Sequence, residues 1–316
     1  MNNFLSQQYK HQNLRHSVLL LLGMFLLLMF LGYLFSGITG AAITVLLGVI
    51  TFFATPRLSP RLILSMYQAQ LLSVNVAPEL YKMLIQLSEK ANLDYVPNLY
   101  YLPSQILNSF TLGEKQNASI VLSDGLLQNL DGREMYGVLA HEVSHLANRD
   151  IRVMSFADTI SRLTALMALF GYFLLIAYLP IYVFAEAVYP WGLVILLVLA
   201  PNLSSLMQLA LSRTREFEAD QMAVQLTGDA LGLASALSKL DLVQTGWLKQ
   251  IFIPQYKRPD PSMLRTHPPT KERIRRLLEI AEVEQQKHIK FDDHYPGLNS
   301  KNEIKKPRRR FHGLWY

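Results

Sequence analysis

Two histidines four residues apart, with a glutamate beside the first, carry the most specific chemistry in this sequence: His141, Glu142 and His145 in "VLAHEVSHLANRD". On a helix, residues four apart lie one turn above each other on the same face. Two neutral imidazoles so placed can hold one zinc ion. Glu142 sits about 100° round the helix from His141, close enough to take a proton from a water that the metal activates without being a ligand itself. Zinc brings the acidity of such a water towards neutrality, and the glutamate can pass the proton on to a leaving amine. These residue types at this spacing are what metal-assisted peptide hydrolysis requires. A chain with eight histidines in 316 residues would show on the order of 0.01 such matches by chance. Surface histidines on an amphipathic helix are therefore the weaker reading.

The remaining ligand must also be an imidazole or a carboxylate. The chain has no cysteine, which excludes thiolate zinc sites, disulfides and cysteine nucleophiles. A metzincin would carry a third histidine six residues after His145 with a glycine between, but the sequence continues "LANRDI". That leaves a glutamate on a later helix. The first one after His145 is Glu186, between two long apolar stretches, and the next lie in "LSRTREFEADQMA". Glu216 and Asp220 are four apart and share a face, whereas Glu218 points elsewhere. Glu216 is the expected ligand, and Asp220 the expected hydrogen-bond partner of a ligating histidine.

The elements that must position these groups are partly apolar. Hydrophobic residues make up 51% of the chain and charged residues 17%, against roughly 25% charged in an ordinary soluble domain. Apolar stretches cover 18–35, 41–54, 163–184 and 191–211, and a bilayer needs about 20 helical residues. The second is short, and the fourth contains Pro201, Asn202, Ser204 and Ser205, which make its second half the poorest lipid-facing surface. The first exceeds the core of a secretory signal and another follows at once, so an anchored hairpin is expected. Lys10, Arg15, Arg57, Arg61, Arg149, Arg152, Arg162, Arg213 and Arg215 flank stretch ends on one side, and the opposite loops carry only Glu186. The positive-inside rule then puts both termini and all polar segments in the cytoplasm.

Between the hairpins, helical patterning over 77–92 gives way to "NLYYL" and "ASIVLS", separated by "NSFTLGEKQN". These β-branched and aromatic runs predict a small sheet. Asp131 with Glu134 three residues later predicts the capped start of the HEVSH helix. The expected fold is a mainly α membrane protein, with four transmembrane helices in two hairpins and a cytoplasmic protease domain with a small β-sheet. The expected layout is an N-terminus over 1–16, a hairpin over 17–55, and the first part of the protease domain over 56–162. A second hairpin over 163–211 and the second protease part over 212–295 follow. The tail over 296–316 holds Lys301, Lys305, Lys306, Arg308, Arg309 and Arg310 against Glu303, most of the net charge of +6. It suits anionic headgroups better than nucleic acid, since no groove-reading pattern accompanies it.

HEVSH, the "SRTREFEAD" segment after an intervening apolar hairpin, and two N-terminal apolar stretches resemble the HtpX family of membrane zinc metalloproteases. That family belongs to a wider group that includes the CAAX-prenyl proteases. The resemblance runs from the first hairpin to about residue 277. It implies a zincin-type domain with one zinc ion on His141, His145 and Glu216, Glu142 as general base and Asp220 in support. It also implies that Asn108 in "ILNSFTLG" lies on a strand beside the cleft and contacts substrate backbone and the developing oxyanion. Ser109 stands there in place of the usual alanine. His267 in "THPPTKERI" resembles the family's His-Pro element and would steady the tetrahedral intermediate. The implied substrates are polypeptides, above all misfolded membrane proteins cut on the cytoplasmic side of the bacterial inner membrane. A CAAX-type protease would want more spans, a non-catalytic scaffold would not need Glu142, and a transporter would want ionisable groups within its spans.

Overall fold

The computed structural model describes residues 3–54, 60–185, 191–245 and 270–294. In chain order its elements are α1 (Asn3–Ala54), α2 (Pro60–Met66), β1 (Gln70–Leu71), α3 (Pro78–Lys90), β2 (Asn98–Leu102), β3 (Ser109–Leu112) and β4 (Ser119–Ser123). They continue with α4 (Asp124–Asn129), α5 (Gly132–Asn148), α6 (Asp150–Ala185), α7 (Trp191–Thr227), α8 (Ala230–Thr245) and α9 (Thr270–His294). The fold is mostly helical around one four-stranded sheet.

Among the described residues, three helical stretches are long and apolar enough to cross a membrane: Gln12–Ile50, Asp150–Phe184 and Trp191–Thr227. The first is not straight, because helical geometry fails at Ser36 and at Gly37, where φ is 60°. A side chain would strain that left-handed backbone, and glycine does not. Beyond the break α1 returns along itself. A Cβ on Gly48 would lie 3.0 Å from the Phe25 ring, whereas a straight helix would hold residues 25 and 48 about 34 Å apart. The arms touch through small residues. A Cβ on Gly40 would strike the carbonyl oxygen of Gly32, and one on Gly32 would come within 2.6 Å of the Thr44 side chain. Close backbone approach of this kind is how helices associate in lipid, where apolar burial drives nothing.

Helices α6 and α7 each run unbroken between apolar and polar sequence, α6 across 162/163 and α7 across 211/212. Pro201 lies inside α7 and cannot donate to the carbonyl of Leu197. The Tyr172 hydroxyl on α6 donates to that carbonyl instead, at 2.9 Å. Ser204 is buried and meets Ser161 at 3.0 Å. Ser204 of the fourth apolar stretch thus faces α6, where it finds a partner.

The polar part is a helical layer on a sheet of order β1-β2-β4-β3, with β2 and β4 parallel and β4 antiparallel to β3. "NLYYL" and "SIVLS" form β2 and β4 as expected, while β3 arises from the segment read as a separator. Its four residues alternate: Phe110 joins Leu64, Leu102 and Val121 on one face of the sheet. Ser109 and Thr111 face α5 on the other. On that face Ile120 and Leu122 pack with Leu99, Leu139 and Val143 in the main core.

The start of α5 is fixed by a full capping box, in which Asp131 accepts from the Glu134 N–H and Glu134 accepts from the Asp131 N–H. Glu134 is buried and also accepts from Ser235 at 2.6 Å and from Lys239 at 2.7 Å, tying α8 to α5. Burial alone would raise its carboxyl. The Lys239 ammonium, the Ser235 hydroxyl and the Asp131 N–H outweigh burial and hold it below the ordinary value of 4.5. A depressed carboxylate stabilises the fold above its unfolded value and loses that contribution as pH falls through its folded one. Glu134→Gln is therefore expected to unfold more easily than wild type at neutral pH, by about 1–3 kcal/mol. Chemical denaturation as a function of pH should show the difference shrinking below pH 4.5. An offset that stays constant into acid would contradict the ion pair's role.

Candidate metal centre

Helix α5 is packed between β3, α7 and α8, so the HEVSH segment is an interior feature. His141 and Glu142 are buried and His145 is nearly so. The two Nε2 atoms stand 3.1 Å apart. Glu216 on α7 faces both, with Oε2 3.5 Å from His141 Nε2 and Oε1 3.6 Å from His145 Nε2. One donor atom from each of the three residues lies within 4.8 Å of the others. Asp220, one turn further along α7, has Oδ1 3.0 Å from His141 Nδ1. Glu218 turns away to Arg215, at 2.6 Å. Asn108 immediately precedes β3, its backbone bonded in both directions to Ser123. His267 lies outside the described residues.

Three features of this centre went unread in the sequence. Ser109 and Thr111 each donate a hydroxyl to Glu142, at 2.6 Å to Oε1 and 2.6 Å to Oε2 respectively. The carboxylate is thereby held between the histidine helix and the edge strand. Arg273 on α9 reaches back to Asp220 at 2.6 and 2.7 Å and to Glu216 at 2.8 Å, and its side chain is 2% exposed. Neighbouring Arg276 stacks its guanidinium 3.7 Å above the Phe217 ring, a cation–π contact that seats α9 on α7. Lastly, Asp150, the first residue of α6, meets His145 Nδ1 at 2.7 Å and is bonded by Arg215 at 2.5 Å. A signal for Ser109 existed in the departure from the family's alanine. The arginines offered none, since their partners lie 53 and 65 positions away.

The donor set suits a metal ion. Among the described residues, five carboxylates (Glu142, Asp150, Glu216, Glu218 and Asp220) converge with two guanidiniums, Arg215 and Arg273, a deficit of positive charge in a largely buried place. Such a deficit is costly unless a cation answers it. Burial and the Arg273 charge push His141 down, yet hydrogen bonds to Asp220 and Glu216 prevail and raise it to about 9. The carboxylates that stabilise a proton there would also attract a metal cation. Two imidazole nitrogens with one carboxylate oxygen is a set typical of zinc.

Comparison with known proteins agrees with this geometry. Residues 75–281 match the model of Peptidase family M48. The chain is 35% identical to a protein named Protease HtpX homolog from Acaryochloris marina over 259 residues, 77% of this chain and 86% of that one. It is 31% identical to a protein of that name from Burkholderia ambifaria over 284 residues, 84% of this chain and 96% of the relative. A third from Sulfurihydrogenibium sp. is 33% identical over 294 residues, 85% of this chain and 96% of the relative. Among solved structures, that of S. mikatae Ste24p aligns with 85% of this chain and 66% of its own, at 20% identity and a TM-score of 0.41. With more than half its length matched by the family model, and relatives above 30% identity matched over most of theirs, the chain belongs to Peptidase family M48.

Proposed function

We propose that this chain is a membrane-anchored zinc endopeptidase. The observation that carries the reading is the convergence of His141, His145 and Glu216 beside a carboxylate, Glu142, that is held by two hydroxyls. His141 and His145 through Nε2 and Glu216 through its carboxylate would hold the ion. Zinc would supply Lewis acidity, polarising the scissile carbonyl and easing the ionisation of water. Glu142 takes the proton of the attacking water and returns it to the leaving nitrogen. Ser109 and Thr111 limit the rotation of that carboxylate, and Asp220 and Arg273 steady His141 and Glu216 from behind. Strand β3 is an edge strand, and its outer side suits an extended peptide that adds as a further strand, which makes few demands on side chains. Asn108, just ahead of β3, would meet the peptide backbone, and His267 would approach the same carbonyl.

The bent α1 with α6 and α7 supports four crossings in two hairpins, with the protease segments 56–162 and 212–295 and both termini in the cytoplasm. The basic tail over 296–316 would lie at anionic headgroups. Misfolded membrane proteins are the proposed substrates, and quality control in the inner membrane the proposed task. A single cysteine at position 186 would be blocked by an impermeant reagent added outside intact cells under this topology, and protected if the account is wrong.

Metal removal tests the chemistry. The full chain, purified in detergent and stripped by a chelator, should leave an unfolded protein substrate intact and should regain cleavage when zinc is returned. Equal cleavage before and after stripping would dispose of the zinc reading.

A further inference from the structure

Each metal-facing histidine is backed by an aspartate, and each aspartate by an arginine. Behind His141 stand Asp220 on α7 and Arg273 on α9. Behind His145 stand Asp150 and Arg215, and this second chain draws on three helices: α5, the first residue of α6, and α7. A histidine that gives Nε2 to a metal must keep its proton on Nδ1, and a carboxylate accepting that N–H fixes the tautomer and the ring together.

The backbone is bent to allow it. Counting at 100° per residue, Asp150 would lie about 140° round from His145 on a continued helix, out of reach. Arg149 ends α5 in the left-handed region, at φ 57° and ψ 36°, and the chain restarts as α6 at the next residue. The break turns the Asp150 side chain back onto the ring it would otherwise miss. A residue other than glycine is strained in that region. Asp150 is buried, with one oxygen on His145 and the other on Arg215. Arg215 is buried too and is balanced on its far side by Glu218, at 2.6 Å.

We propose that Asp150 and Arg215 are positioning residues of the metal centre, Asp150 fixing His145 with Nε2 towards the metal and Arg215 fixing Asp150. This rests on the reading of His141, His145 and Glu216 as metal ligands. It makes the join between α5 and the two long apolar helices part of the centre, because α6 supplies the aspartate and α7 both the arginine and Glu216. The rival role for Asp150, a plain charge at the start of α6, would affect stability and leave the metal alone.

The test uses the full detergent-purified chain, titrated with zinc against a competing chelator and with cobalt for its visible absorption spectrum. Thermal unfolding of the metal-free proteins runs alongside. Asp150→Asn is expected to weaken zinc by roughly 10–100-fold and to alter the cobalt spectrum, a loss read on folded protein and separate from any lowering of metal-free stability by the broken Arg215 pair. Arg215→Lys should weaken zinc less, and should add almost nothing once Asp150→Asn is present, because it acts through that residue. A folded Asp150→Asn with wild-type zinc affinity overturns the proposal, as does full additivity of the two changes. Should Asp150→Asn fail to fold, Asp150→Glu keeps the charge while displacing the carboxylate, and the same loss of zinc affinity is required of it. A wild type that binds no zinc would instead refute the metal centre itself.

Discussion

Glu142→Gln is expected to lose turnover by roughly 10²–10⁴-fold, the contribution of a positioned general base, while retaining its metal. The amide has the shape of the carboxylate but cannot accept a proton at neutral pH. The pocket around it should survive, because Ser109 and Thr111 are hydroxyls that can turn to accept from the new NH₂ as readily as they donate now. His141, His145 and Glu216 are untouched. Steady-state cleavage of an unfolded protein, with zinc counted per chain in the same preparations, checks both halves. Turnover that survives the change would show that another group moves the proton.

The opposite pattern is expected of Glu216→Gln: metal and turnover should go together. Glu216 offers its two oxygens to the two histidines, 3.5 and 3.6 Å away, and removing its charge removes the attraction along with a donor. The fold should persist, because Arg273 keeps both bonds to Asp220. Loss of zinc affinity should exceed the roughly 10–100-fold typical of a residue that only backs a ligand. Competition with a chelator measures it directly. Wild-type affinity in a folded Glu216→Gln would mean that the third ligand lies elsewhere, and Asp220 would be the first to try.

How much of this could be read from the sequence depended on how far apart the partners lie. HEVSH and its capping box are local patterns, and a helix places His141 and His145 together by geometry alone. Glu216 and Asp220 were reached by elimination and by their four-residue spacing, although 75 positions separate His141 from Glu216. Arg273 was out of reach, because nothing in "KERIRRL" distinguishes an arginine that will be buried from one that will be solvated. Asp150 closes "VLAHEVSHLANRD", yet a continued helix would carry it to the wrong face, and only the left-handed Arg149 reverses that. Arg215 reads in the sequence as one of the basic residues flanking a span, but it is buried and paired within the protein.

The fold followed the same logic. Short apolar runs rich in aromatic or β-branched residues were legible as β2 and β4. β3 was not, because its alternation of hydroxyl and apolar side chains is only four residues long, and its hydroxyls are turned inward to Glu142 rather than to solvent. The apolar stretches were legible as helices, but not their continuation into the site, since a run of α-helix does not stop where its surroundings change from lipid to protein.

The most direct measurement is digestion of an unfolded protein by the zinc-loaded chain in water enriched with oxygen-18, with His145→Ala prepared identically. Mass spectrometry should find heavy oxygen in the new C-terminal carboxylates of the wild-type products and no such products from the variant. Fragments that persist in His145→Ala, or a zinc-loaded wild type that leaves the substrate whole, would contradict hydrolysis at this centre.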